Sequence, residues 1–266
     1  MREEKKGIKK GMFIFLCILV FILSFVVGIV SKITHDSTHG KYTVEWNESI
    51  GTIYTDIAYG EKPANKFDLY LPADNSKDSY GLIVYLHAGG FTTGDKSDDK
   101  ATLEYYCSKG YVTAGINYTL FSEQNPDSNV YTQSMEIKEA MPYVVNKAKE
   151  LGYNVDRMAI AGGSAGGCLA LIYGYRDANE APVPVKMVFQ AVGPSSFYPE
   201  DWKSYGLDKD YEAAASLFSV MTGKKITSDM FETAEYDELV KDVSALYWVN
   251  KNTVPTVMAY GKHDIF

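Results

Sequence analysis

The run Ala161-Gly162-Gly163-Ser164-Ala165-Gly166-Gly167 separates the apolar stretch Met158-Ala159-Ile160 from the helix-like Cys168-Leu169-Ala170-Leu171-Ile172-Tyr173. That order predicts a strand, a sharp turn and then a helix, with Ser164 on the turn and its hydroxyl exposed. Gly162 and Gly166, two places to either side, remove the side chains that would collide where strand and helix cross. A hydroxyl presented in this way suits nucleophilic attack on an acyl carbon. The plain alternative is a tight Gly/Ser/Ala-rich connection without chemistry.

A serine hydroxyl attacks poorly near neutral pH unless a base takes its proton and donors hold the oxyanion that develops. A candidate for the donors lies upstream. The buried-strand run Leu82-Ile83-Val84-Tyr85-Leu86 leads into His87-Ala88-Gly89-Gly90-Phe91. Residues with little side chain there let backbone N–H groups approach a substrate oxygen closely. A glycine turn after a strand is the competing reading. In either case His87 shapes the loop and is not the base.

Together these stretches resemble the α/β-hydrolase family, in its esterase and lipase branch, whose oxyanion loop reads His-Gly-Gly-Gly. Ala114-Gly115-Ile116-Asn117-Tyr118 looks like the family's next strand, and Val155-Asp156-Arg157-Met158-Ala159-Ile160 leads into the serine turn. The resemblance covers about residues 50 to 264. It implies a mostly parallel central sheet flanked by helices, Ser164 as nucleophile, and Gly89, Gly90 and Ala165 as oxyanion donors. Ala88 replaces the first glycine of the loop, and Gly163 stands where hormone-sensitive-lipase relatives carry Asp. The likeness is therefore nearer to feruloyl-esterase-like and acetyl-esterase-like members.

The acid of such a triad follows the serine in chain order, on a loop after a late strand. Val254-Pro255-Thr256-Val257-Met258-Ala259-Tyr260 reads as that strand and Gly261-Lys262-His263-Asp264 as that loop, which makes Asp264 the expected acid. A solvated turn aspartate is the bland alternative. Asp237 and Asp242 sit in a polar stretch before the strand and look like helix-end and surface residues.

The base is the missing member. In the family it lies some tens of residues beyond the acid, whereas the four histidines here are His35, His39, His87 and His263, and none occupies that place. Loss of one triad member lowers kcat by about 10⁴ to 10⁶, so the 266-residue chain is expected to be nearly inactive. The expectation is a C-terminally truncated hydrolase without its final strand and helix, because a pseudoenzyme loses single residues more readily than a closing layer. A catalytically dead binding module is the alternative. Within enzymes a serine peptidase of the same fold competes with an esterase, and the 87–90 loop tilts toward esters.

The remainder of the chain bounds the reading. Residues 12–30 are apolar apart from Ser24 and Gly28; at 1.5 Å per residue they span about 28 Å, close to a bilayer's hydrocarbon core. Arg2, Lys5, Lys6, Lys9 and Lys10 precede this run and Lys32 follows it. That bias predicts a basic cytoplasmic tail (1–11), a single-pass signal anchor (12–30), a stalk (31–41) and an extracytoplasmic hydrolase domain (42–266). A cleaved secretory signal is the rival.

With a net charge of −8 and no cluster of Lys and Arg beyond the basic tail, nucleic acid is not expected as a partner. The histidines are too scattered for a metal site, and no cofactor signature appears. Cys107 and Cys168 fall on expected helices and are read as free, buried thiols. Helices are expected over Asp95 to Lys109 and Met135 to Leu151, and strands at 42–46, 52–54 and 66–71. Between 193 and 243 the pattern loosens into aromatics amid charges. This stretch reads either as a lid whose rings stack on a sugar or aryl ester, or as a helical insertion with its own small core. The expected substrate is a small-molecule or carbohydrate ester.

Overall fold

The computed structural model describes residues 2–34 and 42–262, in two units, Met1–Thr43 and Val44–Phe266. In the first, α1 (Arg2–Thr34) is a single helix of 33 residues whose described side chains between Met12 and Ser31 are all exposed. Among the described residues, no helix is long and apolar enough to cross a membrane. The span expected over 12–30 is therefore not established by the structure; the side chains of Ile14 and Cys17, inside that run, lie outside the described residues.

In the second unit, burial follows the apolar patterning of the strands at the centre of the sheet, whereas Val257 and Met258 of the last strand are exposed. Strand β1 (Gly51–Ala58) alternates and is half exposed, as an edge strand should be, whereas β2 (Lys66–Pro72) and β3 (Tyr80–Leu86) are buried on both faces, β3 as a continuous apolar run and β2 with Asp68 buried among its apolar residues. With β4 (Val112–Ile116), β5 (Val155–Gly163), β6 (Val185–Ala191) and β7 (Thr256–Ala259) they form one sheet in the order β1-β2-β4-β3-β5-β6-β7. The opening is antiparallel, β1 to β2 and β2 to β4, and every later pairing is parallel.

Helices α3 (Val130–Glu150) and α4 (Ala165–Ile172) pack on one face, in a core that includes Ile137, Met141, Val144, Leu82, Val84, Ile160 and Val188. Helix α2 (Lys100–Ser108) covers part of the other face through Leu103 and Cys107 against Tyr70. Cys107 and Cys168 are free and buried, as the sequence indicates.

Two expected elements differ. No strand forms at 42–46. Instead the Asn47 side chain accepts hydrogen bonds from the Ser49 N–H (3.0 Å) and hydroxyl (2.5 Å), turning the chain before β1 begins at Gly51; the Trp46 ring then packs edge-on against Tyr70. Helix α2 starts at Lys100 and not at Asp95. Short polar side chains capture the backbone of 95–99 first: Asp95 accepts from Ser97 N–H, Asp98 from Asp95 N–H and Asn117 from Lys96 N–H. Helix α3 begins five residues earlier than expected, where Asn129 and Thr132 form a reciprocal capping box.

The 193–243 insertion builds a small core of its own. Phe197, Phe218 and Tyr236 are fully buried and Phe231 nearly so. Their rings meet edge to face, Phe197 with Phe218 at 5.9 Å and Phe231 with Tyr236 at 4.8 Å between centroids. These rings hold the insertion together and are not available to stack on a ligand.

Candidate active site

Sheet register brings the expected site residues to one edge. On the adjacent parallel strands β3 and β5, Leu86 pairs with Gly162. Gly163 of β5 pairs with Ala191 of β6, and Ala191 with Ala259 of β7. The four strands thus end level, and the segments that follow them, starting at His87, Ser164, Val192 and Tyr260, leave from the same rim.

Ser164 lies between β5 and α4 with φ +50° and ψ −119°, a region that residues with a Cβ rarely occupy. Its N–H donates to Ala191 O at 2.8 Å and its carbonyl accepts from Cys168 N–H at 3.0 Å, so the strained residue is held from both sides. The side chain is half-buried. The flanking glycines are needed for contact distance. A Cβ on Gly162 would lie 2.4 Å from the backbone of Gly166, and one on Gly166 would lie 2.0 Å from Leu86 O and 2.6 Å from His87 O. The first turn of α4 is therefore pressed against the start of the 87–91 loop, which places Ser164 and that loop side by side as the motif predicts.

Within the loop, Gly89, Gly90 and Phe91 all have positive φ, +128°, +59° and +68°. A Cβ at Gly89 would meet Thr93 O at 2.0 Å, whereas one at Gly90 would meet nothing within 4 Å: Gly89 is fixed by close packing and Gly90 borders open space. The turn closes on itself, Gly89 O accepting from Thr92 and Thr93 N–H. Phe91 O accepts from Phe121 N–H (3.1 Å) and from the side-chain amide of Gln133 (2.9 Å).

His87 acts as a wedge. It is buried, its Nδ1 lies 2.8 Å from Ala88 O, and its ring stacks on Tyr118 at 4.4 Å between centroids. The Tyr118 hydroxyl donates to His87 O at 3.0 Å. Burial pushes the imidazole below its ordinary pKa, against a smaller opposing effect of the Ala88 carbonyl. The imidazole is thus engaged in packing at the start of the loop. His87 is the one histidine among the described residues; His35, His39 and His263 lie outside them, as does the expected acid Asp264. Among the described residues no cluster of His, Cys, Asp and Glu could hold a metal ion.

A cleft of about 280 Å³ opens beyond β6 and β7, lined by Gly193, Ser196, Trp202 and Tyr260 among others. Gly193 is tied to the serine turn, since a Cβ there would lie 2.6 Å from Cys168 N. Its N–H donates to the Gln190 side chain, which in turn donates to the Tyr260 hydroxyl, and that hydroxyl donates back to Gly193 O. Of the insertion's aromatics, Trp202 reaches this cleft. Its indole N–H is engaged with Ser196 O.

Sequence reasoning missed Tyr118, Gln133 and Gln190. Tyr118 falls at the end of the run expected as a strand, which closes at Ile116. The two glutamines carried a signal in their setting, a polar residue within an otherwise apolar strand or helix face.

A mostly parallel sheet with a strained serine between strand and helix, abutting a glycine loop at the end of the neighbouring strand, is the arrangement of the α/β-hydrolases. Residues 67–266 match the model of the BD-FAE family, and the chain belongs to that family. Among curated proteins it is similar to Esterase LipC of Mycobacterium tuberculosis, with 21% identity over 216 residues, 78% of this chain and 50% of that protein. The chain spans half or less of the length of the curated relatives it matches. Among solved structures it resembles an inhibited esterase B from Lactobacillus rhamnosis, at a TM-score of 0.64 and 17% identity over 90% of this chain and 75% of that one. A truncated carbohydrate esterase from gut microbiota gives a TM-score of 0.62 and 18% identity over 82% of this chain and 79% of that one. At such identities the likeness to solved structures is one of fold.

Proposed function

We propose that the protein hydrolyses carboxylic esters through an acyl-enzyme at Ser164. The observation that carries this reading is the strained Ser164 backbone packed directly against the 87–91 loop. The hydroxyl attacks the ester carbonyl, and amides of Gly89, Gly90 and Ala165 hold the oxyanion. Collapse expels the alcohol, and water then releases the acid. Asp264 orients a histidine that takes the serine proton, and none of the described residues fills that role. The cleft at Trp202 and Tyr260 is the place for the substrate, and its mixed aromatic and hydroxyl lining suits a small or carbohydrate ester. Esterase names among the relatives and structural neighbours support an ester over an amide. The location follows from sequence: with a basic tail ahead of an apolar stretch at 12–30, the hydrolase unit is proposed to be tethered at the outer face of a membrane.

The test is hydrolysis of p-nitrophenyl acetate and butyrate by the full-length protein beside its Ser164→Ala variant. The variant is expected to lose at least about 10³ in kcat. Equal rates in the two would end the nucleophile assignment.

A further inference from the structure

Three consecutive residues of the candidate oxyanion turn have positive φ, and the third, Phe91 at +68°, is not glycine. Such a backbone persists only where its surroundings over-determine it. Two donors hold the Phe91 carbonyl. One is the Phe121 N–H; the other is the carboxamide of Gln133. Gln133 sits in the first turn of α3 and is fully buried. Besides Phe91 O at 2.9 Å, its nitrogen lies 3.0 Å from Thr119 O and 3.2 Å from Ser128 Oγ. The Ser128 hydroxyl gives its own hydrogen to Thr119 O at 2.6 Å, which leaves its lone pairs to accept. Two backbone carbonyls offer only lone pairs, so the nitrogen end of the carboxamide must face them. The opposite end, Oε1, is buried with no hydrogen-bond partner. An amide that spends both hydrogens on loops and leaves its oxygen unsatisfied is oriented for those loops.

We propose that Gln133 is a positioning residue for ester hydrolysis. Its carboxamide fixes the Phe91 carbonyl, and so the direction of the preceding amides of the 89–90 turn, while tying the 118–121 segment to the same point. The proposal rests on the reading of Gly89 and Gly90 as oxyanion donors. No atom of Gln133 touches substrate. Leucine at 133 keeps the apolar bulk and removes both donors. Glutamate is nearly isosteric, yet when ionised it sets a carboxylate against two carbonyl oxygens; when protonated it restores one donor.

The experiment uses the full-length protein, with two readouts for Gln133→Leu and Gln133→Glu. The first is hydrogen exchange of the amides in the 86–94 segment, which needs no activity; it is expected to quicken in both variants at neutral pH. The second is turnover of p-nitrophenyl acetate. For Gln133→Leu, kcat should fall by about 10- to 100-fold with KM held within about threefold, since a misdirected oxyanion donor acts on the transition state. For Gln133→Glu the loss should shrink as pH is lowered and the carboxyl takes up its proton, a profile that simple loosening of the core would not produce. Exchange at 86–94 unchanged from wild type in a folded variant overturns the proposal, as does kcat within twofold of wild type in both variants. Quickened exchange in a protein whose wild type and Ser164→Ala forms hydrolyse esters equally would show that Gln133 holds the 86–94 loop, and would reject the catalytic reading and with it the role in ester hydrolysis.

Discussion

Gly166→Ala isolates the contact on which the site depends. In an exposed helix this change is stabilising, because alanine has a higher helix propensity by about 1 kcal/mol. Here the new methyl would stand 2.0 Å from Leu86 O and 2.6 Å from His87 O. Ordinary contact begins at 3.4 Å, so α4 and the end of β3 must part by 3.4 − 2.0 = 1.4 Å, and both partners are backbone that cannot rotate away. Forcing a methyl into a close-packed site costs about 1–3 kcal/mol, which at least cancels the propensity gain and predicts a net loss of up to about 2 kcal/mol. A displacement of about 1 Å between reacting groups also costs about 10²-fold in rate, so activity should fall further than stability. Urea unfolding gives the first quantity and p-nitrophenyl acetate turnover the second. For stability, Gly90→Ala is the control: a Cβ there meets nothing within 4 Å, and the change should cost in unfolding free energy only the left-handed strain, about 1 kcal/mol. A Gly166→Ala protein as stable and as active as wild type would refute the inference that the serine turn and the 87–91 loop are in backbone contact.

Two further outcomes follow from charge. The Lys96 ammonium is buried and lies 3.1 Å from buried Asp68 and 3.0 Å from Asp56. Lys96→Met, which strands the Asp68 carboxylate, should cost about 3 kcal/mol in denaturant unfolding, and a loss under about 1 kcal/mol would show the pair to be solvated. Burial, and then the neighbouring Asp98 carboxylate, push Asp99 up to about 6, whereas an unfolded chain releases that proton near 3.9. Between those values the folded state holds a proton that the unfolded state has lost, so stability falls as pH rises through about 4 to 6. Asp99→Asn should therefore melt higher than wild type above pH 6 and equally below pH 4; a difference independent of pH would contradict the assignment.

The strand, turn and helix around Ser164 were legible because glycine at 162 and 166 marks a place where backbones touch, and the structure shows those contacts. The apolar stripe of α3 was legible for the same kind of reason, since its period places Ile137, Met141 and Val144 on one face. Its true start was not, because the Asn129–Thr132 box is written in polar residues that also suit a loop. The early start of α2 failed on competition: Asp95, Asp98 and Asn117 satisfy the 95–99 backbone before a helix can. The insertion's rings looked equally fit for ligand or core, and only packing distinguishes the two, as with Phe218 between Phe197 and Phe231. Gln133 is intelligible in hindsight as one turn before Ile137 on the buried face, where a polar side chain demands a partner. Which partner it takes depends on loops 14 to 42 residues away.

The backbone at Ser164 also discriminates among hydroxyls. Threonine carries the same reacting oxygen, yet its branched Cβ is poorly accommodated at φ +50°, whereas cysteine changes the atom and keeps the unbranched geometry. At this bend, conformational likeness and chemical likeness point to different replacements. Shape thus favours, at the nucleophile, side chains with a single heavy atom on Cβ.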